Sequence, residues 1–234
     1  RGKAKGNAVD LLPVGALSEG RKGEELSEMY DMTQAGAVAF TDDKQPVKHA
    51  GLMERALLYS KNFNGLVITF PNDTDLTEDG KMHEGPTSTR IGLKGMPALA
   101  EEIQLTRDLY LAEYTDSRIH VTGVSTAKSV DLIRKAKKSG IKVTAEVYAH
   151  HLLLEDSSLE EFDTNLKVLP PLRGKADIKA LIKGLKDDTI DCISSDHSPE
   201  DVENKNVEFD HAAFGMIGLE TSYACANTAL QDAE

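Results

Sequence analysis

Short apolar runs that end in polar residues alternate with longer amphipathic stretches along most of this chain, a pattern that points to an α/β fold built on a parallel sheet. The runs are Val9 to Leu17, Ala37 to Phe40, Gly65 to Phe70, Arg118 to Thr122, Ile141 to Tyr148 and Thr189 to Ile193. Helical spacing appears over Glu24 to Gln34, Val47 to Lys61, Pro97 to Glu113, a stretch closed by Gly140, and Lys175 to Leu185. Between Phe70 and Pro97 lies a long polar excursion, rich in glycine, that reads as a loop. Polar groups gather where strands should stop: Thr41, Asp42 and Asp43; Asn72 and Asp73; Ser125 and Thr126; His150 and His151; Ser194 to His197. In a (β/α) barrel those ends form the rim of the active site. No G-x-G-x-x-G follows a strand, which argues against a dinucleotide fold. The expected fold is therefore a TIM-type (β/α)8 barrel, of which the chain holds six strand and helix pairs.

With 234 residues, 40% of them hydrophobic, the chain can bury a substantial core and is read as one domain over 1–234. Its net charge of -12 is spread along the chain, which argues against a nucleic-acid or anionic-membrane partner. No apolar run approaches the roughly 18 to 20 residues of a membrane span. Cys192 and Cys225 have no C-x-x-C spacing and read as buried, reduced thiols of a cytoplasmic protein. The first residues lack an apolar signal-peptide core, and the chain opens without Met, so a fragment is one of the readings.

The most informative stretch is TIDCISSDHSPE, residues 189–200, in which an apolar run delivers Asp196 and His197 at its end. A carboxylate held at a strand terminus suits a metal ligand or a proton acceptor. Together with GAVAFTDDKQPV, GLKGMPALAEE, VSTAKSVDLIRKAKKSGIKVTAEV, HHLLL, NLKVLPPLR and FGMIGLET, this stretch resembles dihydroorotase of the class I type, in the amidohydrolase superfamily. The resemblance runs from Val9 to Asn227. It implies a zinc-dependent barrel that interconverts N-carbamoyl-aspartate and dihydroorotate, with this chain supplying family strands three to eight. It also implies further segments at both ends, or another chain, to cover the open edges.

Carried over residue by residue, the family pattern implies a degenerate metal site. Asp43 falls at the ligand position of the TDD block, with Asp42 as the alternative register, and Asp196 falls at the metal ligand and proton shuttle of the last strand. Two family imidazole positions are occupied by Phe70 and Gly123. The first-strand His-x-His has no counterpart before Val9. Leu169 and Glu200 stand at family substrate-contacting positions that usually carry Asn and His. The expectation is that no zinc is bound, that Phe70 fills the vacancy, and that activity is lost or impaired while an association role is retained. The partner implied is aspartate transcarbamoylase, an active paralogue or another copy of the chain. The alternative is an active zinc-dependent dihydroorotase, or a related cyclic-amide hydrolase, with a reduced ligand set.

Other polar residues read as structural. His150 and His151, being adjacent, are expected on opposite sides of a strand, and His197 as a hydrogen-bonding neighbour of Asp196. His120 has the wrong parity to replace Gly123. Glu220 and Thr221 belong to a turn. Without a metal, Asp43 and Asp196 should repel unless Lys44 neutralises them.

Overall fold

The computed structural model describes residues 9–231. A parallel sheet forms from β1 (Val67–Thr69), β4 (Ile119–Val121), β5 (Val143–Tyr148) and β6 (Cys192–Ser194), paired in that order. The two earliest runs extend it. Parallel bridges join Gly15 to Phe40 and Phe40 to Val67, carried by Gly15 N–H to Ala39 O at 2.9 Å and Ile68 N–H to Phe40 O at 2.8 Å. Six parallel segments thus lie side by side in chain order, as expected of an open stretch of (β/α) barrel.

Helices cover one face of that sheet: α2 (Ala50–Lys61), α5 (Ala98–Thr115), α6 (Ala127–Lys138) and α7 (Lys175–Lys186). Strand alternation explains the choice of face. Val67, Ile119, Val121, Val143, Ala145 and Val147 point into a core with Leu57, Leu105, Val130, Ile133 and Leu181, while Ile68, His120, Thr144 and Glu146 take the other, inner face. Helix α6 shows how local chemistry sets the boundaries. The Thr126 hydroxyl accepts from Ser129 N–H at its start, and at its end Gly140, at φ 84, lets Gly140 N–H and Ile141 N–H reach Lys137 O and Ala136 O.

Several elements differ from the sequence expectation. The stretch expected as a helix over 24–34 forms one only at α1 (Met29–Ala35). Gly20 and Gly23, at φ 59 and 69, turn the chain back so that Leu26 pairs antiparallel with Ser18. The excursion after β1 is not wholly a loop: it carries α3 (Thr74–Thr77), the parallel pair β2 (Met82–His83) and β3 (Gly95–Met96), and α4 (Pro86–Ile91). Met82 there packs with Leu159 and Phe209 in a second, smaller core. The chain closes with α8 (Val202–Lys205) and α9 (Ser222–Gln231).

The edges also differ from one another. Leu11, Leu12, Val14 and Val38 are exposed beside the first two segments, as an open barrel requires. At the far edge Thr189 and Ile190 are buried, with the Ile190 side chain packed against Gly184 of α7. Cys192 is exposed, which corrects the reading of a buried thiol: β6 is the last strand of the sheet, and among the described residues no strand pairs with its far side.

Candidate functional site

At the carboxyl ends of the strands, Lys44 and Asp196 meet across 152 residues of chain. The Lys44 ammonium lies 2.8 Å from Asp196 Oδ1 and 2.9 Å from Oδ2, with the carboxylate side chain only 6% exposed. It also stands 5.5 Å from the centroid of the Tyr148 ring, a cation–π arrangement. Burial pushes the Asp196 carboxyl up, Lys44 pulls it down, and the charges of Asp43 and Glu146 push it up again; the balance lies above the usual carboxylate range. The repulsion expected between Asp43 and Asp196 is thus met by Lys44.

The two aspartates of the TDD block have separate environments. Asp42 is buried: its Oδ1 accepts from Leu17 N–H at 3.0 Å and Ser18 N–H at 2.9 Å, and its Oδ2 from the Ser18 hydroxyl at 2.5 Å. It ties the first segment to the second. Asp43, at φ 61, is largely exposed and lies 3.6 Å from an Arg21 guanidinium nitrogen. Asp196 also has positive φ, 45, and aspartate is among the side chains that tolerate this region.

Phe70 is buried at the end of β1. The ring beside Gly123 is that of Tyr148. Gly123 has φ 66, and a Cβ built on it would stand 3.0 Å from the Tyr148 hydroxyl oxygen and 3.1 Å from Cζ. The position is therefore not open space, and Tyr148 was not anticipated as the residue beside it. Replacing Gly123 with histidine should destabilise the protein by about 1–3 kcal/mol through overpacking. Thermal unfolding of Gly123→His measures this, and an unchanged midpoint would contradict the placement of Tyr148.

Leu169 is half-buried and precedes Pro170 through a cis peptide bond. Glu200 is exposed and accepts from Asn204 Nδ2 at 3.2 Å. His197 is held by the last turn rather than by its neighbour: its Nδ1 accepts from Gly218 N–H and Leu219 N–H at 3.3 and 3.2 Å. Glu220 and Thr221 form the turn that leads into α9, as expected. His150 and His151 do not point to opposite sides. They lie in a 3-10 turn, Ala149–Leu152, which brings their rings to 4.5 Å. Burial, followed by the charge of Lys44, lowers His150 to about 4, and burial also keeps His151 well below the ordinary histidine range.

On the inner face, below the mouth, a second group forms that sequence reading missed. His120, Glu146 and Cys192 come from β4, β5 and β6, and their ligand atoms all lie within 4.8 Å of one another. His120 Nε2 is 3.6 Å from Glu146 Oε2. Its Nδ1 is 2.8 Å from Thr144 Oγ1, and Thr122 donates to Glu146 Oε1. Burial raises the Glu146 carboxyl, but the adjacent His120 ring and the hydrogen bond from Thr122 lower it by more, and it sits below its ordinary value. Burial raises the Cys192 thiol, with Glu146 and Asp191 adding to the effect. The parity expected to turn His120 away from the Gly123 side does not hold, because β4 ends at Val121 and Gly123, at φ 66, is no longer in strand geometry; the register, Glu146 opposite Cys192, is not visible in the sequence.

A family profile described as dihydro-orotase-like matches residues 3–129, more than half of the chain. The chain belongs to this family. It is 53% identical over 223 residues to a dihydroorotase of Pelotomaculum thermopropionicum, covering 95% of this chain and 52% of that one. It is 52% identical over 222 residues to a dihydroorotase of Acetivibrio thermocellus, with the same coverage. The chain therefore spans about half the length of the curated relatives it matches. Among solved structures, L-hydantoinase (dihydropyrimidinase) from Arthrobacter aurescens gives a TM-score of 0.76 at 22% identity, over 93% of this chain and 50% of that one. Dihydroorotase from Saccharomyces cerevisiae gives 0.69 at 17%, over 95% and 62%. Both show the barrel fold. This dihydroorotase-family member is an amidohydrolase-superfamily chain with an atypical, reduced set of ligand atoms, His120, Glu146 and Cys192.

Proposed function

We propose that this chain is a dihydroorotase-type barrel whose own ring-opening chemistry is lost or impaired, and that it acts by association with aspartate transcarbamoylase, an active paralogue or another copy of itself. The observation that carries the reading is the Lys44 ammonium bound by both oxygens of Asp196. Opening dihydroorotate needs a water made nucleophilic near the cyclic amide carbonyl and a carboxylate free to take and return a proton. Asp196, at the position the family uses for that carboxylate, is engaged by a tethered cation.

The residues at the mouth do not fit the zinc of the family. Phe70 has no lone pair, Gly123 has no side chain, and Asp43 is turned toward Arg21. The substrate contacts are altered in parallel, Leu169 offering no hydrogen bond and Glu200 pairing with Asn204. Among the described residues no helix is long and apolar enough to cross a membrane, and both cysteines are free thiols, which suits a reducing compartment such as the cytoplasm. A second reading, a cyclic-amide hydrolase with a reduced ligand set, draws on the grouping of His120, Glu146 and Cys192.

The experiment is a ring-opening assay on the 234-residue chain, alone and mixed with aspartate transcarbamoylase, with complex formation followed by light scattering. The reading expects no turnover by the chain alone and a complex that forms without added zinc. Turnover by the chain alone would overturn it.

A further inference from the structure

We infer that His120 Nε2, Glu146 Oε2 and Cys192 Sγ form a binding site for a divalent cation of zinc type, distinct from the positions at the barrel mouth. The three side chains stand on adjacent parallel strands, with His120 opposite Thr144 and Glu146 opposite Cys192, so backbone pairing fixes their common face. Tetrahedral zinc, with bonds of about 2.0 to 2.3 Å, holds its donors about 3.3 to 3.8 Å apart. Donors within 4.8 Å of one another can close on an ion by side-chain rotation of about 1 Å.

The partners of the two better-buried ligands support the assignment. Thr144 Oγ1, 2.8 Å from His120 Nδ1, can accept that N–H and leave the Nε2 lone pair directed at the cluster. Thr122 holds Glu146 Oε1, which leaves Oε2 on the same side, 3.6 Å from Nε2. The His120 and Glu146 ligand atoms are thus each aimed by a hydrogen bond at the other polar atom of the same side chain, the arrangement that orients metal ligands. Cys192, at the free edge of the sheet, leaves an approach from solvent and a fourth position open to water.

The chemistry balances without a further reactant. On binding, the Cys192 thiol loses its proton to solvent and forms the sulfur–metal bond, neutral His120 donates a nitrogen lone pair, and the Glu146 carboxylate an oxygen. Thiolate and carboxylate together offset the two positive charges of the ion. Mixed nitrogen, oxygen and sulfur donors suit zinc or cobalt over magnesium or calcium. The inference does not depend on the reading of the mouth, because Lys44 and Asp196 contribute no ligand to it.

Cobalt titration of the reduced chain, watched by absorption and followed by zinc competition, tests the site. The expected result is a thiolate-to-cobalt charge-transfer band that saturates near one equivalent and is bleached by zinc. Cys192→Ser should abolish the band while circular dichroism shows the fold retained. Thr144→Val should weaken binding about 10- to 100-fold, a loss that an ion pair with a bystander thiol would not show. No band from the folded wild type, a band that survives Cys192→Ser, or a band removed by Asp196→Asn would each overturn the assignment.

Discussion

Replacing Arg173 with alanine should lower the free energy of unfolding by about 3–5 kcal/mol, the largest effect expected of any single substitution considered for this chain. The Arg173 side chain is only 4% exposed and lies 3.4 Å from Glu101 Oε2, whose own side chain is 3% exposed. Arg173 Nε donates to the Ser125 hydroxyl at 2.9 Å, and its Nη1 reaches both His83 Nδ1 and Met96 O. Glu101 in turn accepts from Ser125 N–H at 3.0 Å, Thr126 N–H at 3.2 Å and the Ser125 hydroxyl. Removing the guanidinium strands a buried carboxylate with hydrogen bonds but no counter-charge. Urea unfolding of Arg173→Ala measures the loss, and Arg173→Lys, which keeps the charge without the planar fork, should fall between the two. A change under about 0.5 kcal/mol, the scatter of ordinary surface substitutions, would contradict this account of the network.

Acid should destabilise the protein before its carboxylates titrate. His150 and His151 are buried and stay neutral in the fold, His150 down to about 4, while an unfolded chain protonates them near 6.5. Below that value the unfolded state binds the additional protons. Stability is therefore full above about pH 6.5 and falls as the pH drops toward 4, by about 1.4 kcal/mol per unit for each histidine. For His150 alone the loss reaches about 3 kcal/mol. The measurement is the unfolding free energy between pH 7 and 4 for the wild type and for His150→Leu, which should show the shallower slope. Equal slopes would show that His150 protonates in the fold as readily as it does unfolded.

The alternation of apolar runs and helical stretches was enough to read the parallel order of the sheet, because strand period and helix period are properties of local sequence. What brought distant residues together was not local. PALAEE, VST and PPLR are recognisable as separate blocks, yet only the fold joins Glu101, Ser125 and Arg173 into one network. The same holds at the mouth. Asp196 is legible as a strand-end carboxylate, and Lys44 as a residue able to neutralise it, but the bidentate contact depends on how two loops 152 residues apart are aimed. Tyr148 approaches Gly123 because its ring leans from β5 toward Thr122, 3.2 Å from that hydroxyl, a contact that strand period alone does not encode.

Misreadings elsewhere have equally specific causes. His150 and His151 share a side because the chain leaves strand geometry at Tyr148, and a two-residue period no longer applies. Cys192 carries an apolar-looking environment in sequence, but β6 is the last strand of the sheet, and among the described residues no strand pairs with its far side. The His120, Glu146 and Cys192 group needed the strand register, which pairs residues 24 and 46 positions apart. No motif spacing encodes that.

The most direct test of the central claim, that Lys44 rather than a metal engages Asp196 and leaves the mouth without ring-opening activity, is the hydrolysis of dihydroorotate by the unmodified 234-residue chain in the presence of added zinc. The account predicts a rate equal to the uncatalysed background at every zinc concentration, with Asp196→Asn indistinguishable from wild type. Turnover above background that Asp196→Asn abolishes would contradict it, since that carboxylate would then be free to move a proton.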